Sequence, residues 1–168
     1  SWTEERGKNL LDGGAHYYGT YETADGKWIS IGSGEPQFYE MLLEQTGFQS
    51  EHRQMDRDQW PAMQEQLAAI FKTKTRDQWD EIMLGTDVCY APVLSYEEAW
   101  ANEHNQERGT FVEVDGVRQA APAPRFSRTI NEVPGQCANP GENAEEVLAE
   151  IGFTKERIAS LRDAGAIA

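Results

Sequence analysis

A single carboxylate, Glu35, stands between Gly34 and Pro36 in a stretch otherwise made of turn and strand residues. Residues 10–38 read LLDGGAHYYGTYETADGKWISIGSGEPQF. Gly32 and Gly34 open backbone conformations closed to other residues. Pro36 presets the first turn of a helix. Glu35 is therefore expected where a strand ends and a helix begins, with its carboxylate near the positive end of the helix dipole, which favours the ionised form. An ionised group there suits a proton acceptor, or a group that orients one, better than a general acid. The plainer alternative is a helix cap, a position that favours Ser, Thr, Asp and Asn over Glu.

The other residues able to do chemistry carry weaker patterns. His16, His52 and His104 have no metal-ligand spacing and no cysteine beside them. His104 lies in a polar run and is expected on the surface. Cys89 falls within an expected short strand, 88–93, and reads as a buried, inert thiol. Tyr17 and Tyr18 alternate across a strand, so one ring faces the core and the other faces out, where it can line a cleft. Tyr18 is the candidate for that substrate-lining position. Gly13-Gly14 is no phosphate loop, because it precedes a strand and lacks the Lys and Ser/Thr of a P-loop.

The elements that must position these residues follow from periodicity. Residues 17–23 read as a strand, Ala24-Asp25-Gly26-Lys27 as a hairpin turn, and 28–31 as the returning strand. A helix is expected from about Pro36 to Gln45, with Gly47 as its stop. Trp60, Met63, Leu67, Ile70 and Phe71 recur at helical steps. Thr75 with Gln78, and Ser95 with Glu98, match capping boxes that open two more helices. Phe111 to Val114 and Val117 flank Asp115-Gly116, a second hairpin. Residues 119–141 hold Pro122, Pro124, Pro134 and Pro140 and read as a long extended crossing. Val147, Leu148 and Ile151, then Ile158 and Leu161, mark terminal amphipathic helices. The expected class is α+β: a small mixed domain of short antiparallel strands and amphipathic helices, then an extended segment ending in helices. The expected divisions are an entering tail at 1–13, a small domain at 14–108, and a C-terminal extension at 109–168.

Composition limits the partners. The chain has 168 residues, a net charge of −14 and 39% hydrophobic content. Such acidity argues against nucleic acid or an anionic membrane as a partner. No apolar run approaches the ~18 residues of a membrane span. Cys89 and Cys137 lie far apart and outline no disulfide framework, so a cytoplasmic setting is expected.

Four runs carry a resemblance: NLLDGGAHYYGTYETADGKWISIGSGEPQFYEMLLEQTG, FKTKTRDQWDEIMLGTDVCYAPVLSYEEA, HNQERGTFVEV and APAPRFSRT. Their order and spacing resemble the C-terminal part of the alpha-methylacyl-CoA racemases, within the family III CoA-transferase (CaiB/BaiF-type) superfamily. The resemblance implies epimerisation at C2 of 2-methyl-branched acyl-CoA thioesters by proton removal and return through an enolate-like intermediate. It implies acyl-CoA as substrate and no metal or redox cofactor. It also implies a principal acid/base pair, a His and an Asp, on a large CoA-binding domain. A Glu from the small domain of a neighbouring subunit joins that pair, and its match is Glu35, with Tyr18 lining the same cleft. The partner is then a second copy or a large domain. The large domain has no counterpart in these residues, so the chain is expected to be inactive alone. Gly34 and Asn143 depart from the family pattern, which tends to a bulky apolar residue and a His at those positions. A non-catalytic interaction module and a fragment of a CoA-transferase are the competing expectations.

Overall fold

A computed structural model describes residues 2–133, 135 and 137–167. Contacts divide the chain into two compact units, one ending at Ala99 and the other starting at Trp100.

The first unit is built on a three-stranded antiparallel sheet. β1 (Tyr18–Glu22) pairs with β2 (Trp28–Gly32), and β2 pairs with β3 (Tyr90–Val93), in the order β1-β2-β3. The Asp25-Gly26 turn joins the first two strands, with Gly26 at a φ of 75°. Three helices supply the remaining core: α1 (Pro36–Thr46), α2 (Trp60–Phe71) and α3 (Arg76–Met83). Gly47, at a φ of 69°, ends α1. Thr75 and Gln78 form both bonds of the expected capping box on α3.

One face of the sheet is sealed. Tyr17, Tyr21, Ile29 and Ile31 join Leu42, Met63, Leu67, Phe71, Trp79 and Met83 in one buried cluster. Its aromatic members meet at angles that suit ring quadrupoles. Phe71 lies 5.1 Å from Trp79, edge to face, and the Trp79 indole N–H donates to the Phe71 carbonyl at 2.9 Å. In α1 the buried positions are Tyr39 and Leu42.

A buried arginine ties the far end of the sheet to the next helix, α4 (Tyr96–Ala101). The Arg76 guanidinium donates to the Val93 carbonyl at 2.9 Å and to both carboxylate oxygens of Glu98, at 3.0 and 2.5 Å. Glu98 also accepts from the Ser95 backbone and lies 3.3 Å from Lys27. The Arg76 guanidinium beside it, then the Ser95 N–H, hold the Glu98 carboxyl far below the ordinary carboxylate range.

Residues before the sheet are more ordered than a tail. Asn9 is buried, and its side chain accepts from Thr3 N at 2.7 Å while donating to Thr3 O and to Asp12. Gly14 closes over this knot. A Cβ there would stand 2.6 Å from the Lys8 carbonyl carbon and 2.7 Å from Asn9 O. Gly14→Ala is expected to cost about 2 kcal/mol, because only backbone could move aside. Urea denaturation measures this as a lower midpoint at an unchanged slope.

The second unit holds α5 (Glu103–Glu107), the hairpin β4 (Phe111–Val114) and β5 (Val117–Ala120), and the helices α6 (Ala144–Glu150) and α7 (Lys155–Asp163). Asp115 and Gly116 both have positive φ, as the hairpin turn requires. Trp100 lies between the Phe111 ring at 5.7 Å and the Arg118 guanidinium at 4.7 Å. The stretch from 121 to 143 holds no helix or strand among the described residues, and Pro134 of that expected crossing lies outside them. Ile158 is the one fully buried apolar residue described in this unit, whereas Phe126, Ile130, Val147 and Ile151 are exposed. Among the described residues no helix is long and apolar enough to cross a membrane.

Candidate functional site

The open face of the sheet is lined by small side chains. Alternation along each strand sends Tyr21, Ile29 and Ile31 inward and Tyr18, Thr20, Ser30 and Ala91 outward. Tyr18 stands opposite Gly32, and Gly32 donates its N–H to the Cys89 carbonyl at 2.8 Å. Tyr18, Gly32 and Cys89 therefore form one cross-strand row at the end of the sheet. Gly32 leaves room in it: an added Cβ would lie 3.5 Å from the Tyr18 ring and 3.9 Å from Cys89 Cβ. A shallow open groove runs along this row and its neighbours, lined by Tyr18, Thr20, Ser30, Gly32, Cys89 and Ala91.

The two tyrosines separate as their alternation requires. Tyr17 is fully buried, with its hydroxyl donating to Met55 Sδ at 3.2 Å, and Tyr18 is exposed on the groove side.

Glu35 is carried to the same end of the sheet by a tight turn. The Gly34 N–H donates to Gly32 O at 2.8 Å, and the buried Ser33 donates its N–H to Tyr17 O and its hydroxyl to Val88 O at 2.6 Å. Glu35 then occupies the N-cap position of α1 with extended backbone angles, φ −76° and ψ 145°, and Pro36 follows at the first helical position. The backbone is that of a cap, but the side chain is not. The exposed carboxylate accepts no hydrogen bond from the N–H groups of the first turn. It is exposed, and its negative charge is one of the influences on the Cys89 thiol.

Cys89 corrects the expectation of a buried strand residue. It is exposed, and its φ of 59° places it before β3, which starts at Tyr90. Val88 is the residue that turns into the core. The apolar neighbours made the segment read as continuous strand; the left-handed residue delays the strand to Tyr90, and Cys89 lies on the same face as the exposed Ala91. The thiol is pushed up by partial burial, then by the carboxylates of Glu35 and Asp87, so it is held as the poorly nucleophilic thiol.

The histidines are not part of this surface. His16 is fully buried beneath the sheet, where its Nε2 pairs with the Tyr39 hydroxyl at 2.8 Å. Burial lowers its pKa to about 4, so it is neutral near pH 7. His52 is exposed in the segment before α2, and His104 is exposed in the second unit. The first unit thus presents the exposed Glu35 carboxylate at the turn that follows β2, and neither His16 nor His52 is among the residues that line the groove. An arrangement of that kind can complete a proton-transfer site whose other groups come from another polypeptide surface.

Sequence reasoning passed over two residues that hold the turn. Ser33 gave no signal beyond its small polar type. Gln54, in the segment between α1 and α2, donates its side-chain amide to the carbonyls just before Glu35.

Comparison with known proteins places these features in a wider set. The sequence profile of CoA-transferase family III matches residues 2–144. Alpha-methylacyl-CoA racemase of Mus musculus is 45% identical over 166 residues, covering 95% of this chain and 43% of the relative. The Homo sapiens racemase is 42% identical over 165 residues, with the same coverage. The chain thus spans less than half the length of these relatives. A crystal structure of a CAIB/BAIF family protein from Brucella suis superposes with a TM-score of 0.67 at 19% identity, covering 82% of this chain and 38% of that one.

Proposed function

The chain belongs to CoA-transferase family III, and on that premise we propose that it supplies the Glu-bearing small domain of a 2-methylacyl-CoA epimerase. The racemase relatives, similar over 95% of the chain, support racemisation as the reaction. The observation that carries the reading is the state of Glu35: exposed at the turn that follows β2 and unused as a cap.

The chemistry is a 1,1-proton transfer. A base removes the C2 proton of the acyl thioester, the electron pair is delocalised onto the thioester oxygen, and an acid returns a proton to the opposite face. The resemblance assigns the acid and base to a His and an Asp of a large domain. In this reading Glu35 accepts a hydrogen bond from that imidazole and stabilises its protonated form. Tyr18 lines the groove that receives the acyl chain, and Gly32 keeps the backbone bare where the chain passes. The partner is a second polypeptide surface carrying the large domain.

The experiment is deuterium incorporation at C2 of a 2-methylacyl-CoA in heavy water. The chain alone is expected to give no exchange above buffer. Addition of the N-terminal part of the Mus musculus racemase is expected to restore it. Rapid exchange by the chain alone, or none after a complex has formed, would contradict the proposal. A binding module without chemistry predicts a complex in which Glu35 can be replaced freely.

A further inference from the structure

Glu35 is exposed and attached to a turn flanked by glycines, where little packs against the backbone. A Cβ on Gly34 would meet only the Gly32 carbonyl oxygen, 4.0 Å away. Hydrogen bonds hold the turn instead. On its inner side Ser33 is tied to Tyr17 and Val88, as described above. The other tie comes from a separate loop. Gln54 Nε2 donates to Ser33 O at 3.1 Å and to Gly34 O at 2.9 Å. A side-chain amide nitrogen carries two N–H donors, so one group can serve both carbonyls. These are the carbonyls of the two peptide planes immediately before Glu35, and the second belongs to the peptide bond that joins Glu35 to the turn. Their orientation sets the direction in which the Glu35 side chain leaves the backbone.

Gln54 is itself anchored. The Trp60 indole N–H donates to the Gln54 carbonyl at 2.8 Å, and the buried Trp60 ring meets the Tyr17 ring edge to face at 5.9 Å. Tyr17 in turn accepts the Ser33 N–H at 3.0 Å. The path Trp60–Gln54–Ser33–Tyr17 closes on itself around the turn.

We infer that Gln54 is a positioning residue for Glu35, fixing the direction of its carboxylate by clamping the Ser33 and Gly34 carbonyls. The inference rests on the reading of Glu35 given above. Gln54 is only half-buried, so water can replace its amide at both carbonyls with little loss of stability. Its removal therefore affects the aim of Glu35 more than the folding of the unit.

The test has two arms. In the full chain, Gln54→Ala is expected to move the NMR resonances of Gly34 and Glu35, to leave those of α3 in place, and to leave the melting temperature within about 3 °C. In the complex with the racemase N-terminal part, it is expected to lower kcat about 10-fold with KM little changed, as misplacement of a reacting group does. Gln54→Asn, which keeps both N–H donors but is one methylene shorter and reaches the carbonyls less well, should fall between the two. The same Gln54→Ala change on a Glu35→Gln background is expected to lower kcat by less than about 2-fold, because nothing is left to aim. Equal losses on both backgrounds, or no loss with Glu35 intact, would overturn the inference, and so would unmoved Gly34 and Glu35 resonances. If Glu35→Gln alone costs no activity, the proposed role of Glu35 fails, and the resonance arm still decides whether Gln54 sets the turn.

Discussion

Glu35→Gln in the assembled protein is expected to lower C2 exchange about 100-fold, the lower part of the range for losing a group that takes part in proton transfer. The lower part applies because, in the proposed role, Glu35 acts on an imidazole and does not itself carry the substrate proton. Glutamine keeps the shape and removes the charge, so the partner imidazolium loses its stabilising anion. The pH at which the imidazole protonates should fall, and the rising limb of the pH–rate profile should move to lower pH with it. Stability should change little, since the Glu35 carboxylate is exposed and makes no cap hydrogen bond. Thermal melting of the two proteins checks that the loss is not unfolding. A loss of rate with an equal loss of melting temperature would assign Glu35 a structural role.

The second large effect concerns folding, and it comes from His16. Its ring is fully buried against Tyr39 and Tyr17, and its pKa is lowered from 6.5 to about 4 by burial. The unfolded chain takes up this proton near pH 6.5, whereas the folded chain resists it down to about 4. Between those values the unfolded state binds more protons, so stability falls as the pH falls. The full difference is roughly 3 kcal/mol, and it is complete near pH 4. Most of that loss precedes the carboxylates. Asp12, stabilised first by the Asn9 side chain, and Asp25, first by Thr23, have lowered pKa values and lose their contributions below about their ordinary value of 3.8. Urea midpoints measured from pH 7.5 to 4.5 should therefore decline steeply. In His16→Gln, which can still pair with the Tyr39 hydroxyl, the curve should be nearly flat over that interval. An equally steep decline in the variant would place the titration elsewhere.

Much of the architecture was legible in the sequence where a local rule and a global demand coincided. The Asp-Gly turn at 25–26, the Gly47 stop, the Thr75/Gln78 box and the spacing of Trp60, Met63, Leu67 and Phe71 each name an element through its own chemistry. Each is present. The Ser95/Glu98 box forms both its bonds as well, but no local pattern shows that Glu98 is shared with Arg76. The Asn9 knot was invisible for a related reason: short polar residues without periodicity look like a tail, and only their mutual geometry makes them a structure. Cys89 was misread because an apolar run carries no mark of a left-handed residue within it.

The site was legible in part. Glycine–Glu–Pro located the strand-to-helix turn and the exposed carboxylate, and alternation separated Tyr17 from Tyr18. The groove beside them needed the pairing of β3 onto β2, which brings Cys89 next to Gly32 across a large sequence separation. Gln54 could not be read at all, because a glutamine in a charged loop has no pattern that says which carbonyls it will meet.

The most direct measurement is the pH titration of the large domain's catalytic imidazole, followed by nitrogen-15 NMR in its complex with this chain. With Glu35 present the imidazole pKa is predicted to lie about one unit above its value in the complex made with Glu35→Gln, the size of effect a neighbouring carboxylate produces. An identical pKa in the two complexes would contradict the claim that Glu35 reaches across to that imidazole.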